Sequence, residues 1–209
     1  DKENKLDLFQ IWINLPAKNK MTKPGYEMIW SEAVPEIKEE GVEVKVITGS
    51  WNEVKAPDAP QASWANKEEN EVAIYIIRIQ KGHSIEIPTF SREVNRMLYH
   101  VDGHATDVEG SKLKQKHGMQ LRPDLPIKLE AKEGDTRVLL LQGKPISEPV
   151  VQHGPFVMNS RNEIIQAFQD YQSTQFGGWK WGRADVIHPR DQPRFARMGD
   201  GREELPDAI

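Results

Sequence analysis

The sequence predicts an all-β architecture, an antiparallel sandwich or barrel, followed by a single helix. Short apolar runs alternate with polar residues at period two between residues 42 and 141. Glycine-bearing pairs separate those runs, and only the stretch after Ser160 shows helical spacing.

The first element is residues 8–15, LFQIWINL. Phe9, Ile11 and Ile13 fall on one side, and Gln10, Trp12 and Asn14 on the other, which is the pattern of a half-buried strand. No partner strand precedes it, and a lone strand cannot satisfy its backbone groups. Its expected neighbours therefore lie upstream or in another chain. The segment from Pro16 to Glu40 contains Pro24-Gly25 and Pro35 and reads as a connector with short elements.

The main strand series covers 42–47, 72–79, 85–87, 96–101, 126–131 and 137–141, with 72–79 (VAIYIIRI) the strongest. Turns are signalled at Lys81-Gly82, Asp102-Gly103, Glu109-Gly110 and Glu133-Gly134-Asp135. The polar stretch 51–70 reads as a long loop interrupting the sheet. For the helix, Ser160 caps, Glu163 completes the capping box, and Ile164, Ile165, Phe168 and Tyr171 share one face. Gly177-Gly178 stops it. The remainder reads as an irregular tail pinned by Trp179 and Trp181.

Composition narrows the chemistry. The 28 Lys+Arg residues against 32 Asp+Glu leave a net charge of -4, so no global field favours phosphate. The tail arginines Arg190, Arg194, Arg197 and Arg202, with Lys180 and Arg183, are interleaved with Asp185, Asp191 and Asp200. They read as clamps on the protein's own surface rather than a nucleic-acid patch. The absence of cysteine excludes disulfides, thiolate metal sites and a cysteine nucleophile. The longest aliphatic run, Val138 to Leu141, is far too short to span a bilayer, and no leader pattern opens the sequence, so no membrane association is expected. The cytoplasm is the expected compartment, or the nucleus in a eukaryote.

Candidate chemistry is sparse. No G-x-S-x-G elbow or phosphate loop is present, and no catalytic residue is assigned. The pairs Glu39-Glu40, Glu68-Glu69 and Glu203-Glu204 read as solvated faces. His100, His104 and Glu109 come nearest to a metal set, but Asp102-Gly103 breaks the element between the histidines. Histidines on the surface beside a hairpin are the preferred reading, with no metal ligand assigned. His153 in Gln152-His153-Gly154-Pro155 is read as bonding backbone across a tight turn, with a polar role at a barrel mouth as the alternative. Gln10 and Trp12 are the substrate-pocket candidates, should their face of the first strand border a cavity.

Residues 140–159, LLQGKPISEPVVQHGPFVMN, closely resemble the signature stretch of the pirin family. So do 8–16, LFQIWINLP, with Lys20-Met21 and Pro24-Gly25-Tyr26, the helix after Asn159, and Gln175-Phe176-Gly177-Gly178-Trp179. The resemblance implies a bicupin, two facing barrels of the double-stranded β-helix type. It implies that 1–35 is a remnant of the N-terminal cupin (closing strand and connector) and 42–158 the C-terminal cupin barrel, followed by the helix at 160–176 and the tail at 177–209. Pirins resemble iron-dependent quercetin 2,3-dioxygenases, whose metal lies in the first barrel on histidines that include a His-x-His pair. The six histidines here form no such pair. The expectation is therefore no cofactor in this chain, no catalysis by it alone, and a flavonol-type ligand for the intact protein. The alternative is a non-enzymatic binding or regulatory module, since some pirins resemble partner-binding transcriptional cofactors. Self-association through the unpaired strand exposing Phe9, Ile11 and Ile13 is also expected.

Overall fold

A computed structural model of the chain describes residues 6–179, 182 and 187–206. The expected β architecture is present. The chain forms β1 (Glu36–Glu39), β2 (Val42–Thr48), the small hairpin β3 (Ser50–Trp51) and β4 (Val54–Lys55), and then β5 (Ala73–Ile79). Next come β6 (Ser84–Ile87), β7 (Asn95–Gly103), β8 (Thr106–Val108) and β9 (Ser111–Leu113). The barrel is completed by β10 (Gly118–Leu121), β11 (Ile127–Glu130) and β12 (Thr136–Gly143). Six strands form one antiparallel sheet in the order β1-β2-β5-β12-β7-β10, and four form the facing sheet, β6-β11-β8-β9.

Alternation fills the space between the sheets. Val42, Val44 and Val46 of β2, Tyr75, Ile77 and Ile79 of β5, Leu98 of β7, and Val138 and Leu140 of β12 point inward and are buried. Ile85, Ile87, Val108, Leu113, Ile127 and Leu129 answer them from the smaller sheet in one continuous cluster. The barrel interior is thus a packed apolar core over most of its length. The outer edge is β1, whose Glu36, Lys38 and Glu39 alternate with one apolar residue, Ile37. A charged edge of this kind discourages pairing with a further strand.

One departure from the sequence reading has a local cause. Residues 8–15 form no strand, because no neighbouring strand among the described residues offers them a ladder. The split between two faces fails with it: Phe9 and Ile13 are both 36% exposed and Trp12 is 60% exposed. The connector from Pro16 to Glu40 ends in β1, which a single apolar residue among charges does not announce. The long polar loop is braced, since the Trp64 indole N–H donates to the Lys144 carbonyl (2.9 Å) and the Asn70 amide donates to the Trp64 carbonyl (2.7 Å).

The helix, α1 (Arg161–Thr174), begins as expected. Ser160 Oγ accepts from the Glu163 N–H, and the Glu163 carboxylate reaches back to the Asn159 N–H (3.2 Å). Ile164 and Ala167 are buried and Phe168 half-buried, but Ile165 is exposed, so the buried face is narrower than the spacing suggested. Against α1 lies a separate hairpin of β13 (Val151–His153) and β14 (Phe156–Met158), where Phe156 meets Phe168 edge-on at 4.6 Å. The tail carries its own small hairpin, β15 (Ala196–Arg197) with β16 (Glu203–Glu204). Of its arginines, Arg194 clamps onto the rest of the chain, pairing with Glu32 and lying over the Trp30 ring (5.7 Å), whereas Arg197 pairs with Glu203 and Arg202 with Asp200 inside the tail itself. Lys180, Trp181, Arg183 and Asp185 lie outside the described residues. Among the described residues no helix is long and apolar enough to cross a membrane.

Candidate functional site

Two places on the barrel combine a concave surface with unusual side chains. The first is the outer face of the six-stranded sheet. There the outward residues are also apolar: Ile74 is buried, while Met97, Tyr99 and Leu141 are partly covered or exposed. The segment 11–14 crosses this face and leaves a cleft of about 560 Å³ lined by Trp12, Ile13, Met97, Tyr99, Leu141 and Ile146, among others. Trp12 also borders an adjoining cleft of about 540 Å³ with Leu15, Gln152 and Val157.

The crossing segment is fastened by polar contacts. Lys20 Nζ donates to Asn14 Oδ1 (2.6 Å), and the Ala17 N–H donates to Glu148 Oε2 (2.6 Å). The Asn159 amide bonds the same Glu148 oxygen at 3.0 Å. Of the two sequence candidates, Trp12 lines the cleft, whereas Gln10 is exposed and does not. Glu148 was visible only as part of the resemblance, since nothing in its own surroundings marks it as an anchor.

The histidines do not converge. His100 is buried, contrary to the surface position expected, because even-numbered residues of β7 face inward. Its Nε2 bonds the His104 carbonyl (2.8 Å), and its Nδ1 is buried without a partner. The Glu109 carboxylate instead accepts the Lys128 N–H. His153 packs edge-on against Phe168 (5.5 Å) in place of the expected backbone bond. Among the described residues no group of three or more His, Asp or Glu side chains is placed to hold a metal ion. The iron implied by the resemblance therefore does not fit the side chains of this barrel, whose interior offers one histidine among aliphatic neighbours.

The second place is the barrel mouth under the 56–70 loop, where a cleft of about 450 Å³ is lined in part by Thr48, Ser50, Glu71, Phe90, Ser91 and Lys144. The polar layer beneath it comes from adjacent strands. Arg96 of β7, fully buried, donates from Nε to Gln142 Oε1 (2.8 Å) and from Nη2 to the Pro88 carbonyl (2.9 Å). The Phe90 ring lies 5.4 Å from its guanidinium carbon. The Tyr75 hydroxyl donates to the Ser50 carbonyl, and burial pushes its pKa above the ordinary phenol value. Burial also lowers the Arg96 pKa, with Tyr75 acting in the opposite direction.

At the rim, Glu71 holds a left-handed backbone conformation (φ 48°) and accepts from both the Ser91 N–H (3.0 Å) and the Ser91 hydroxyl. Lys144 Nζ lies 3.1 Å from its carboxylate. Burial alone would raise the Glu71 pKa, but the Ser91 bonds and Lys144 outweigh it and hold the carboxyl below its ordinary value. A carboxyl depressed on folding stabilises above its unfolded pKa and loses that contribution as pH falls through the folded one. Glu71→Gln is accordingly expected to cost stability at pH 7, and the gap to the wild type should narrow as pH falls through and below the ordinary carboxylate range. Urea unfolding across that range checks this; a gap independent of pH would refute it.

Comparison with known proteins gives the lineage. The family model described as the pirin C-terminal cupin domain matches residues 62–177. A Pseudomonas aeruginosa protein provisionally named quercetin 2,3-dioxygenase is 38% identical over 167 residues, 78% of this chain and 56% of its own length. A pirin-like protein of Caulobacter vibrioides is 36% identical over 169 residues, covering 80% of this chain and 58% of that protein. The chain thus spans a little over half the length of these curated relatives. A crystal structure of quercetin 2,3-dioxygenase from Acinetobacter baumannii superposes with a TM-score of 0.68 at 28% identity, over 79% of this chain and 55% of that one. The two-sheet barrel followed by the helix α1, the match over residues 62–177 and these relatives agree: the chain belongs to the pirin family and carries its C-terminal cupin domain.

Proposed function

We propose that the chain is the second-barrel portion of a pirin-type protein with quercetin 2,3-dioxygenase-like activity, in which these residues wall the flavonol pocket without holding the metal. The observation that supports this is the apolar cleft on the outer face, where Trp12 and Tyr99 offer aromatic surface suited to a flat polyphenol. Iron, where a pirin binds it, supplies the dioxygen chemistry. The residues present here would orient the flavonol and exclude water. The donor side chains of this barrel do not fit an iron centre, so the 209 residues alone are expected to be inactive.

The test is metal analysis with oxygen uptake on the purified chain, alongside a quercetin titration followed by fluorescence quenching. The expected result is no stoichiometric iron, no turnover, and quercetin binding that Trp12→Ala weakens by roughly 2- to 10-fold, the equivalent of one aromatic contact. Stoichiometric iron with turnover would overturn the metal-free assignment. Quercetin affinity unchanged by Trp12→Ala would remove the cleft from the reading. A non-enzymatic module is the second reading, favoured by the filled barrel interior. Measurable ligand binding by the chain, without oxygen uptake in a protein extended to its relatives' length, would select it.

A further inference from the structure

Arg96 is a cation sealed inside a barrel with no anion beside it. Its side chain is fully buried, and among the described residues no carboxylate lies within ion-pair distance. Nε and Nη2 are spent on the neutral oxygens of Gln142 and Pro88, and Nη1 is buried with no partner. A buried charge is ordinarily paired, and a buried N–H is ordinarily bonded. An aliphatic residue would fill the same inward position of β7 at lower cost, as Leu98 does two residues on. Gln142 is itself held in place, since its amide donates to the Glu71 carbonyl (3.2 Å), so the guanidinium is fixed rather than accommodated.

The mouth cleft lies immediately beyond. Phe90 lies over the guanidinium, its ring centroid 5.4 Å from the guanidinium carbon, and the same residue lines the cleft of about 450 Å³. Ser91, the next residue, is tied to the Glu71 carboxylate, and Glu71 to Lys144, which makes the rim a polar frame around the aromatic gate.

We infer that the mouth of this barrel binds a small monocarboxylate, with Arg96 Nη1 donating to one of its oxygens and the cleft beside Phe90 taking the remainder. The charge and donor count select the class. One free nitrogen serves one oxygen, and a single negative charge neutralises the guanidinium. A phosphate dianion would bring in a second charge with no buried partner. Entry requires the Phe90 ring to rotate away from the guanidinium, and the carboxylate then replaces the ring as its partner.

The test titrates the full chain with sodium acetate at constant ionic strength, using chloride as the reference salt and inorganic phosphate in parallel. Binding is read by the rise in Tm and by the guanidinium 15N resonances. The expected result is a saturable Tm rise with acetate and a concerted shift of one protected guanidinium signal. Arg96→Met should bind acetate at least about tenfold more weakly, the equivalent of one charge-assisted hydrogen bond. Lys112→Met, on β9 and outside the cleft, should bind it as the wild type does. Should Arg96→Met fail to fold, the 15N signal in the wild-type chain still decides the matter, and Phe90→Ala should quicken acetate exchange at that signal. An acetate response equal in Arg96→Met and wild type overturns the inference, as does the absence of any response in the wild type. Tighter binding of phosphate than acetate refutes the assigned class.

Discussion

Leu140→Ala is expected to lower stability by about 3–4 kcal/mol, enough to bring Tm down by roughly 10 °C. Leu140 is fully buried at the centre of the larger sheet, with Tyr75 of β5 and Leu98 of β7 as its cross-strand partners. All three side chains point into the space between the sheets. Truncation would remove apolar atoms from contact on several sides, and the β ladders that flank Leu140 limit how far the backbone can close the gap. Leu141 provides the comparison. One residue on, it faces the outer cleft and is only half-buried, so Leu141→Ala should cost less than half as much. Thermal and urea unfolding of the two variants measures the difference. Equal losses would mean that the period-two assignment of β12 is wrong.

That assignment also explains what the sequence discloses and what it conceals. Strands 42–48, 73–79 and 136–143 are legible because long runs of branched aliphatics have few alternatives to a buried sheet. Strands β8 and β9 are three residues each, with one or two buried positions, and fall below any periodic signal. In β7 the pattern misleads. Met97, Tyr99 and Val101 form the more apolar set by composition, yet Met97 and Tyr99 line the outer cleft, while Arg96, Leu98 and His100 point into the barrel. A sheet apolar on both faces gives no parity from alternation alone, so the buried guanidinium could not be read in advance.

The same ambiguity affects residues 8–15. Alternation shows that a segment can serve as a strand, but whether it does so depends on a neighbour with free backbone groups. The expected break at Asp102-Gly103 falls at its second residue. A bulge carries β7 as far as Gly103, where it ends before His104: Asp102 pairs with Arg137 while His100 pairs with Val138. Trp12 was legible as a site candidate because a tryptophan on a short alternating run is conspicuous. Glu148 and Glu71 act through backbone groups distant in sequence, which no local pattern reports.

Gly103→Ala is expected to cost about 3 kcal/mol, since two separate penalties fall on the same atom. Gly103 closes β7 at φ +86°, a conformation that side chains with a Cβ avoid. A Cβ there would sit 2.3 Å from the Asp135 carbonyl oxygen and 3.0 Å from the Thr136 Cα, both backbone atoms that no rotamer change can clear. That carbonyl is already engaged by the His104 N–H at 2.8 Å, and the Gly103 carbonyl accepts from the Gln115 amide at 2.6 Å. Relieving the clash would disturb both bonds at the end of the β7–β12 ladder. Gly110 isolates the conformational part: it has φ +79°, but nothing lies within 4 Å of an added Cβ. Gly110→Ala should therefore cost only about 1 kcal/mol, the left-handed penalty alone. The difference between the two variants in urea unfolding measures the steric contribution, and two equal costs would show that the Asp135 turn yields freely.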